Sequence, residues 1–242
     1  MRIRLLVGDF ICSMAWICTG AFINMTVFQA LGLGHTPMGE AVKAALSIVN
    51  MFFFAFIDGP SYNPIKILSS PVSGGPRNFI FTIGPRILSQ VMGSTCGAMV
   101  IMRMLPGLGS GPKLNVGICR GAITEGLLTF FITVISLSIS RKIPESFVRR
   151  TWILSVSKLA LHVVGSDLTG GSMNPASVFG WAYARGDHIS IEHIMVYWIS
   201  PMLGALLGFW TFTLFGRLGP MGFWTFTFGR LGQIGAGKRK FE

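Results

Sequence analysis

The segment GSDLTGGSMNPASVFGWA, residues 165–182, is the most informative part of this sequence. It is rich in glycine, contains the triplet Asn174-Pro175-Ala176, and lies between strongly apolar segments. Irregular backbone inside a membrane is costly, because each N–H or C=O group without a partner in hydrocarbon costs several kcal/mol. Such backbone is tolerated where it is buried in protein or lines a water-filled cavity. The segment therefore predicts the lining of an aqueous path.

The composition is that of an integral membrane protein. Of the 242 residues, 51% are hydrophobic and only 12% are charged, whereas a soluble domain carries about 25% charged residues. The net charge of +11 does not indicate nucleic acid as a partner, because the basic residues are scattered at segment ends and no nucleic-acid motif accompanies them. The lipid bilayer is the expected surrounding.

No catalytic or metal-ligating pattern is present in the sequence. The four cysteines, Cys12, Cys18, Cys96 and Cys119, lie in or beside apolar segments without metal or disulfide spacing, which is typical of small packing residues. No nucleophile stands in an arrangement with a base. We therefore expect no enzyme activity, no cofactor and no metal site.

Six apolar segments are long enough to cross a bilayer, which needs about 20 residues each. They predict an all-α membrane protein with spans at about 5–30, 41–57, 79–105, 121–140, 151–166 and 194–216.

The distribution of Lys and Arg predicts the orientation of these spans. One set of segment ends holds thirteen of the twenty basic residues, and the opposite loops near 31–40, 106–120 and 184–193 hold Lys113, Arg120 and Arg185. The rule therefore places both termini in the cytosol. The thirteen are Arg2, Arg4, Lys66, Arg77, Arg141, Lys142, Arg149, Arg150, Arg217, Arg230, Lys238, Arg239 and Lys240.

Matching motifs divide the chain into two halves. Asn63-Pro64-Ile65, the first box, matches Asn174-Pro175-Ala176, the second box. SQVMGS (89–94) likewise matches SPMLGA (200–205). In both matches the second motif follows the first after the same number of residues, and this separation is here named the box offset. A long repeat in constant register indicates that one structural plan occurs twice.

An acidic motif near the start of each half completes the plan. Asp9-x-x-x-Ser13 matches Glu125-x-x-x-Thr129, at a slightly longer offset that is here named the acidic offset. Each half, about 5–105 and about 121–216, contains three spans, so the second copy must be inverted. Paired interruptions in inverted halves indicate a binding or transport site in a membrane protein.

Each box predicts the start of a short helix, because Pro is favoured at the first helical position and Asn is a good cap. The segments 63–71 and 174–185 are too short to cross the bilayer. Two half-helices that enter from opposite sides and meet at their N-termini form a seventh pseudo-span. Their N–H groups and positive dipole ends then orient water and repel cations.

At these motifs the chain resembles the aquaporin, or major intrinsic protein, superfamily across about residues 5–216. It is similar in particular to the type-2 subgroup of plant small basic intrinsic proteins. The resemblance implies six membrane-spanning helices with two half-helices, a homotetramer with one pore per subunit, water or small neutral solutes as permeants, and residence in the endoplasmic reticulum. The segments that carry the subgroup resemblance, besides 165–189, are GPKLNV (111–116), GAITEGLLTFF (121–131) and RKIPESF (141–147).

By this resemblance the selectivity filter is formed by Ser47, His162, Gly171 and Ser177. Ser177 stands where water-selective members have Arg, which predicts a wider and less charged filter. Ile65 is bulkier than the usual Ala and is expected to narrow the midplane.

Individual roles follow from the same alignment. The amides of Asn63 and Asn174 are expected to line the pore, and Asp9 and Glu125 to hold the half-helix loops as structural acids. His162 is either a pore residue or a core histidine bonded to backbone carbonyls. Lys158 shares a helical face with His162, and it either pairs with an acid or extends to the interface.

Residues 1–216 are the predicted channel domain, and 217–242 are a predicted basic cytosolic tail. The tail contains a near copy of residues 208–219, to which no function is assigned. Its lysines third and fifth from the end resemble the dibasic retrieval signal of endoplasmic-reticulum membrane proteins.

The leading hypothesis is a passive channel for water and small neutral solutes across an intracellular membrane. The alternative is a scaffold that keeps the fold with a closed pore, favoured by Ile65 and by the short interval between Ser47 and Asn63. A coupled transporter requires further ionisable pairs at the midplane, and the sequence offers none that is convincing.

Overall fold

A computed structural model describes residues 2–68, 76–105 and 111–215. These residues form helices and connecting loops without a β-strand. The long helices are α1 Arg2–Ala30, α2 Pro37–Ala55, α4 Asn78–Met104, α5 Ile118–Lys142, α6 Phe147–Thr169 and α8 Ile191–Phe215. The short helices are α3 Pro64–Leu68 and α7 Pro175–Arg185.

The six long helices correspond to the six predicted spans, and the fold class is confirmed as an all-α bundle of aquaporin type. Five of these described helices are both long and apolar enough to cross a membrane. The sixth, α6, has the length for it at 23 residues but is less apolar. Its polar residues include Lys158 and His162, both of which line an internal cavity.

Helix boundaries differ from the prediction where a capping residue was overlooked. α2 begins at Pro37 and not near 41, because the Thr36 side chain accepts a hydrogen bond from Gly39 N and Pro37 occupies the first turn. α6 extends beyond 151–166 at both ends, because Ser146 caps its start and Gly170, in the left-handed conformation, ends it.

Contacts between helices reproduce the inverted repeat at atomic detail. In the first half, a Cβ on Gly93 of α4 would overlap the carbonyl oxygen of Phe10 in α1. In the second half, a Cβ on Gly204 of α8 would overlap the carbonyl oxygen of Gly126 in α5. Small residues that let helix backbones approach closely are a main means of helix association in membranes.

A serine hydroxyl also joins the first and third spans in each half of the chain. Ser89 Oγ donates to the carbonyl of Leu6 at 2.6 Å. Ser200 Oγ donates to the carbonyl of Ala122. The two donors are related by the box offset and the two acceptors by the acidic offset. The first and third spans of each half are therefore docked in the same way.

The predicted tail 217–242, including the near copy of 208–219, lies outside the described residues. Residues 69–71 of the predicted first half-helix also lie outside them. The division into a channel domain and a tail stays a prediction.

The close crossing of α5 and α8 can be tested by substitution. Gly204→Ala is expected to destabilise the protein by about 1–3 kcal/mol, the usual cost of overpacking, because the new Cβ would overlap backbone atoms of Gly126, which cannot rotate away as a side chain can. The measurement is the thermal unfolding midpoint of the purified protein in detergent. Gly84→Ala is the matched control, since its new Cβ meets nothing within 4 Å. Equal midpoints for the two variants would contradict the packing argument.

Candidate functional site

The two Asn-Pro boxes are in direct contact. Asn63 Nδ2 donates to the carbonyl of Met173 at 2.9 Å, and Asn174 Nδ2 donates to the carbonyl of Tyr62 at 3.1 Å. Since α3 and α7 begin at the prolines that follow these asparagines, the two short helices meet at their N-termini. The predicted tip-to-tip arrangement is the one that the structure has.

The orientation of each asparagine amide is fixed by its cap. Asn63 Oδ1 accepts from Ile65 N at 2.9 Å, and Asn174 Oδ1 accepts from Ser177 N at 3.4 Å. Each NH₂ group therefore uses one N–H for the opposite box and keeps a second N–H. At Asn63, which lines a cavity, that second donor can serve a permeating molecule. The two asparagines hold the two boxes together, and Asn63 also lines a cavity.

The two acidic residues support the loops that lead into the boxes. Both are fully buried. Asp9 Oδ1 accepts from Ser61 N at 2.7 Å. Glu125 accepts from Ser172 N and Met173 N, each at 3.0 Å. The structure thus places both carboxyl groups under the irregular backbone, where the resemblance assigned them a structural role.

Arg86 is a part of this site that the sequence analysis missed. Its Nε and Nη2 donate to the two carboxylate oxygens of Asp9 at 2.7 and 2.9 Å, and Nη2 also donates to Gly59 O at 2.9 Å. The available signal was an arginine inside the predicted span 79–105, since a charged residue within a span has a partner or a function by default.

The four predicted filter residues come together around one cavity, here named the filter cavity. Its volume is about 200 Å³, and its lining includes Ser47, His162, Gly171 and Ser177. They come from α2, α6, the loop before the second box, and α7. Residues far apart in sequence thus line one cavity, and their role as a selectivity filter stays a prediction.

His162 both lines this cavity and bonds to the backbone, so the two alternatives left open for it are compatible. Its Nδ1 lies 3.1 Å from the carbonyl oxygen of Gly171. Because a carbonyl only accepts, Nδ1 carries the hydrogen, and Nε2 is the nitrogen left for another partner. Gly171 has a φ of +49°, and a Cβ there would crowd the His162 backbone. The absence of a side chain at 171 is thus required by packing.

A second cavity of about 200 Å³ lies beside the first box and is here named the box cavity. Asn63, Ile65 and Lys66 are among its lining residues. Three residues line both this cavity and the filter cavity and so stand between the two, namely Met51, Lys158 and Met173. Lys66 also lines a vestibule of about 1030 Å³. The order along the molecule is vestibule, box cavity, filter cavity.

The remaining box residues differ in their access to these cavities. Ile65 is 4% exposed and lines the box cavity, as its expected narrowing role requires. Asn174 and Ala176 are buried and line neither cavity. They are buried because the tips of α3 and α7 are in contact. The short interval between Ser47 and Asn63 does not prevent this seating.

Lys158 projects from α6 to an aromatic group. Its Nζ lies 4.6 Å from the ring centroid of Trp16, 5.2 Å from that of Tyr62, and 3.5 Å from Tyr62 Oη. The ammonium group of Lys158 therefore contacts two aromatic rings. The sequence had suggested an acidic partner or extension to the membrane interface instead.

The Asp9–Arg86 pair gives a test of the support beneath the first box. Arg86→Met is expected to lower the free energy of unfolding by about 3–5 kcal/mol, because it leaves a buried carboxylate without its charged partner. The double variant Asp9→Asn, Arg86→Met is expected to lose less, since Asn still offers an oxygen to Ser61 N. Unfolding in denaturant, followed by tryptophan fluorescence, measures both. A double variant less stable than the single would contradict the argument.

Comparison with known proteins agrees with this geometry. The chain is 50% identical over 216 residues to the probable aquaporin SIP2-1 of Arabidopsis thaliana, covering 87% of this chain and 91% of that protein. It is 45% identical over 224 residues to aquaporin SIP2-1 of Zea mays, covering 89% and 90%. Aquaporin SIP1-1 of Zea mays is 32% identical over 223 residues, covering 87% and 91%.

The fold is also similar to that of a solved structure. The aquaglyceroporin from Plasmodium falciparum has a TM-score of 0.63 at 15% identity, covering 89% of this chain and 95% of that one. Residues 2–212 match the family model described as major intrinsic protein. The resemblance to type-2 small basic intrinsic proteins is confirmed by the relatives, and the chain belongs to the major intrinsic protein family.

Proposed function

We propose that this multi-pass membrane protein is a passive channel for water and small neutral solutes. The observation that carries the proposal is the reciprocal bonding of Asn63 and Asn174 between two half-helices, with one cavity on each side. Irregular backbone in a membrane is stable only where it is enclosed by protein or lines water. The chain belongs to the major intrinsic protein family, and its relatives are named aquaporins, which are channels and not enzymes.

The filter cavity supports a permeant set wider than water alone. Three of its four assigned residues, Ser47, Gly171 and Ser177, are small and uncharged. His162 is the only large one of the four, and the backbone of Gly171 holds its ring. Hydroxyl groups and one imidazole nitrogen can exchange hydrogen bonds with a polar neutral molecule. Glycerol and hydrogen peroxide fit this description.

The printed names of the relatives agree with the proposal. Plant proteins of 45–50% identity are called aquaporins, and the solved structure of similar fold is called an aquaglyceroporin. Membership of the family thus supports water first and small neutral solutes second.

Assembly and location are part of the same proposal. We infer a homotetramer with one pore per subunit, resident in the endoplasmic reticulum with both termini in the cytosol. Thirteen of twenty basic residues on one side support the orientation. The resemblance to small basic intrinsic proteins supports the tetramer and the residence in the endoplasmic reticulum.

Osmotic swelling of proteoliposomes tests the water path. The wild type is expected to swell faster than empty vesicles, and Ser47→Trp to fall close to the empty-vesicle rate, because an indole fills much of a cavity of about 200 Å³. Val49→Trp is the matched control, since Val49 lies on the same helix, is 64% exposed and lines neither cavity. A wild-type rate equal to that of empty vesicles would refute the channel and favour the scaffold with a closed pore.

The missing arginine gives a second test. Ser177→Arg is expected to reduce glycerol uptake by on the order of tenfold while water flow falls less, because a long cation narrows the filter cavity and about 1.4 kcal/mol of added barrier corresponds to that factor. Stopped-flow light scattering with glycerol and with an impermeant osmolyte measures the two rates, and Ser177→Ala is the control. Unchanged glycerol uptake in Ser177→Arg would show that residue 177 does not limit solute size.

A further inference from the structure

Lys158 places a positive charge between the two cavities. It lines both the filter cavity and the box cavity. Its ammonium group reaches across from α6 to Trp16 of α1 and to Tyr62, the residue directly before the first box. Any molecule that passes from one cavity to the other therefore passes this group.

The aromatic rings that receive the ammonium group are packed against one another and against a third ring. Trp16 and Tyr62 are stacked, with ring centroids 4.1 Å apart and planes 9° apart. Phe54 packs edge-on against both, at 5.3 and 5.2 Å. Ring faces attract a cation, most strongly where water is scarce, and tryptophan attracts it best. The side chain of Lys158 thus has a preferred position against the faces of these rings.

The charge is not neutralised by the walls around it. No Asp or Glu is among the residues that line either cavity in the described part of the chain. The ion pairs formed by the described residues do not include Lys158. The other residues of these walls that can carry a positive charge are Lys66 and His162. Among the residues that line the two cavities, basic side chains are therefore present and acidic ones are not, in the described part of the chain.

We propose that Lys158 is the specificity-determining cation of this channel, which excludes cations and protons at the midplane. This inference rests on the proposed function. Ser177 supplies no charge at the position after the second box, and Lys158 supplies one deeper in the path. The channel then separates two kinds of selection: the filter cavity selects by size and hydrogen bonding, and the junction selects by charge. The permeant class is neutral polar molecules.

The test compares water flow with cation flow in the same proteoliposomes. Lys158→Met keeps much of the length and apolar character of the side chain and removes the charge, and Lys158→Gln is a second neutral variant in case the first does not fold. Lys158→Arg keeps the charge. Lys43→Met is the matched control, because Lys43 is paired with Glu40 and lines neither cavity. Swelling reports water, and an entrapped pH dye under a potassium diffusion potential reports protons.

Wild type, Lys158→Arg and Lys43→Met are expected to swell without proton flux above that of empty vesicles. The neutral variants are expected to swell at least as fast and to raise proton flux by on the order of tenfold or more, because a unit charge a few ångströms away strongly repels a proton at reduced dielectric. Neutral variants that swell without added proton flux would overturn the role proposed for Lys158 and would leave the channel function standing. A wild type that does not swell would overturn the proposed function, and the role of Lys158 with it.

Discussion

The fold depends on how two broken helices satisfy their backbone inside a membrane. Each unpaired polar group in hydrocarbon costs several kcal/mol, and each helix start leaves N–H groups without an intrahelical partner. Here the asparagine of each box caps its own helix through Oδ1 and bonds the loop of the opposite helix through Nδ2. Neither box is satisfied without the other. The two halves of the chain are therefore bound to fold around one shared point.

Asp9 and Glu125 both accept hydrogen bonds from the loop before a box, but their other partners differ in charge. Asp9 is buried and paired with a charged group through the two-pronged contact of Arg86. Among the described residues, the donors to Glu125 are uncharged, namely two backbone N–H groups and the hydroxyl of Thr169 at 2.7 Å. Tyr197, the counterpart of Arg86 by the box offset, donates instead to the carbonyl of Thr169 at 2.9 Å. The two halves keep the positions of the acids and differ in the partners of those acids.

The features of this structure that the sequence can predict are those that depend on residues close together in the chain. The six spans follow from apolar length, and the half-helix starts follow from Asn-Pro capping. The two offsets indicated a repeat, and the glycine and serine contacts between spans recur with the same offsets. The partners of Arg86 and Lys158 were not predictable, because each contact joins helices that no local spacing relates. The amide bonds between the boxes escaped prediction for the same reason, since Asn63 and Met173 are far apart in sequence.

The placement of positive charge explains how the chain can do without an arginine after its second box. Lys66 is the counterpart of Ser177 by the box offset, so the cation follows the first box and the neutral residue follows the second. Lys66 lines the box cavity and the vestibule, and Lys158 stands at the junction with the filter cavity. In the charge selection proposed above, these basic groups repel cations from either entrance, because every passing ion meets them. The filter cavity is thereby free to widen for larger neutral solutes without loss of charge selection.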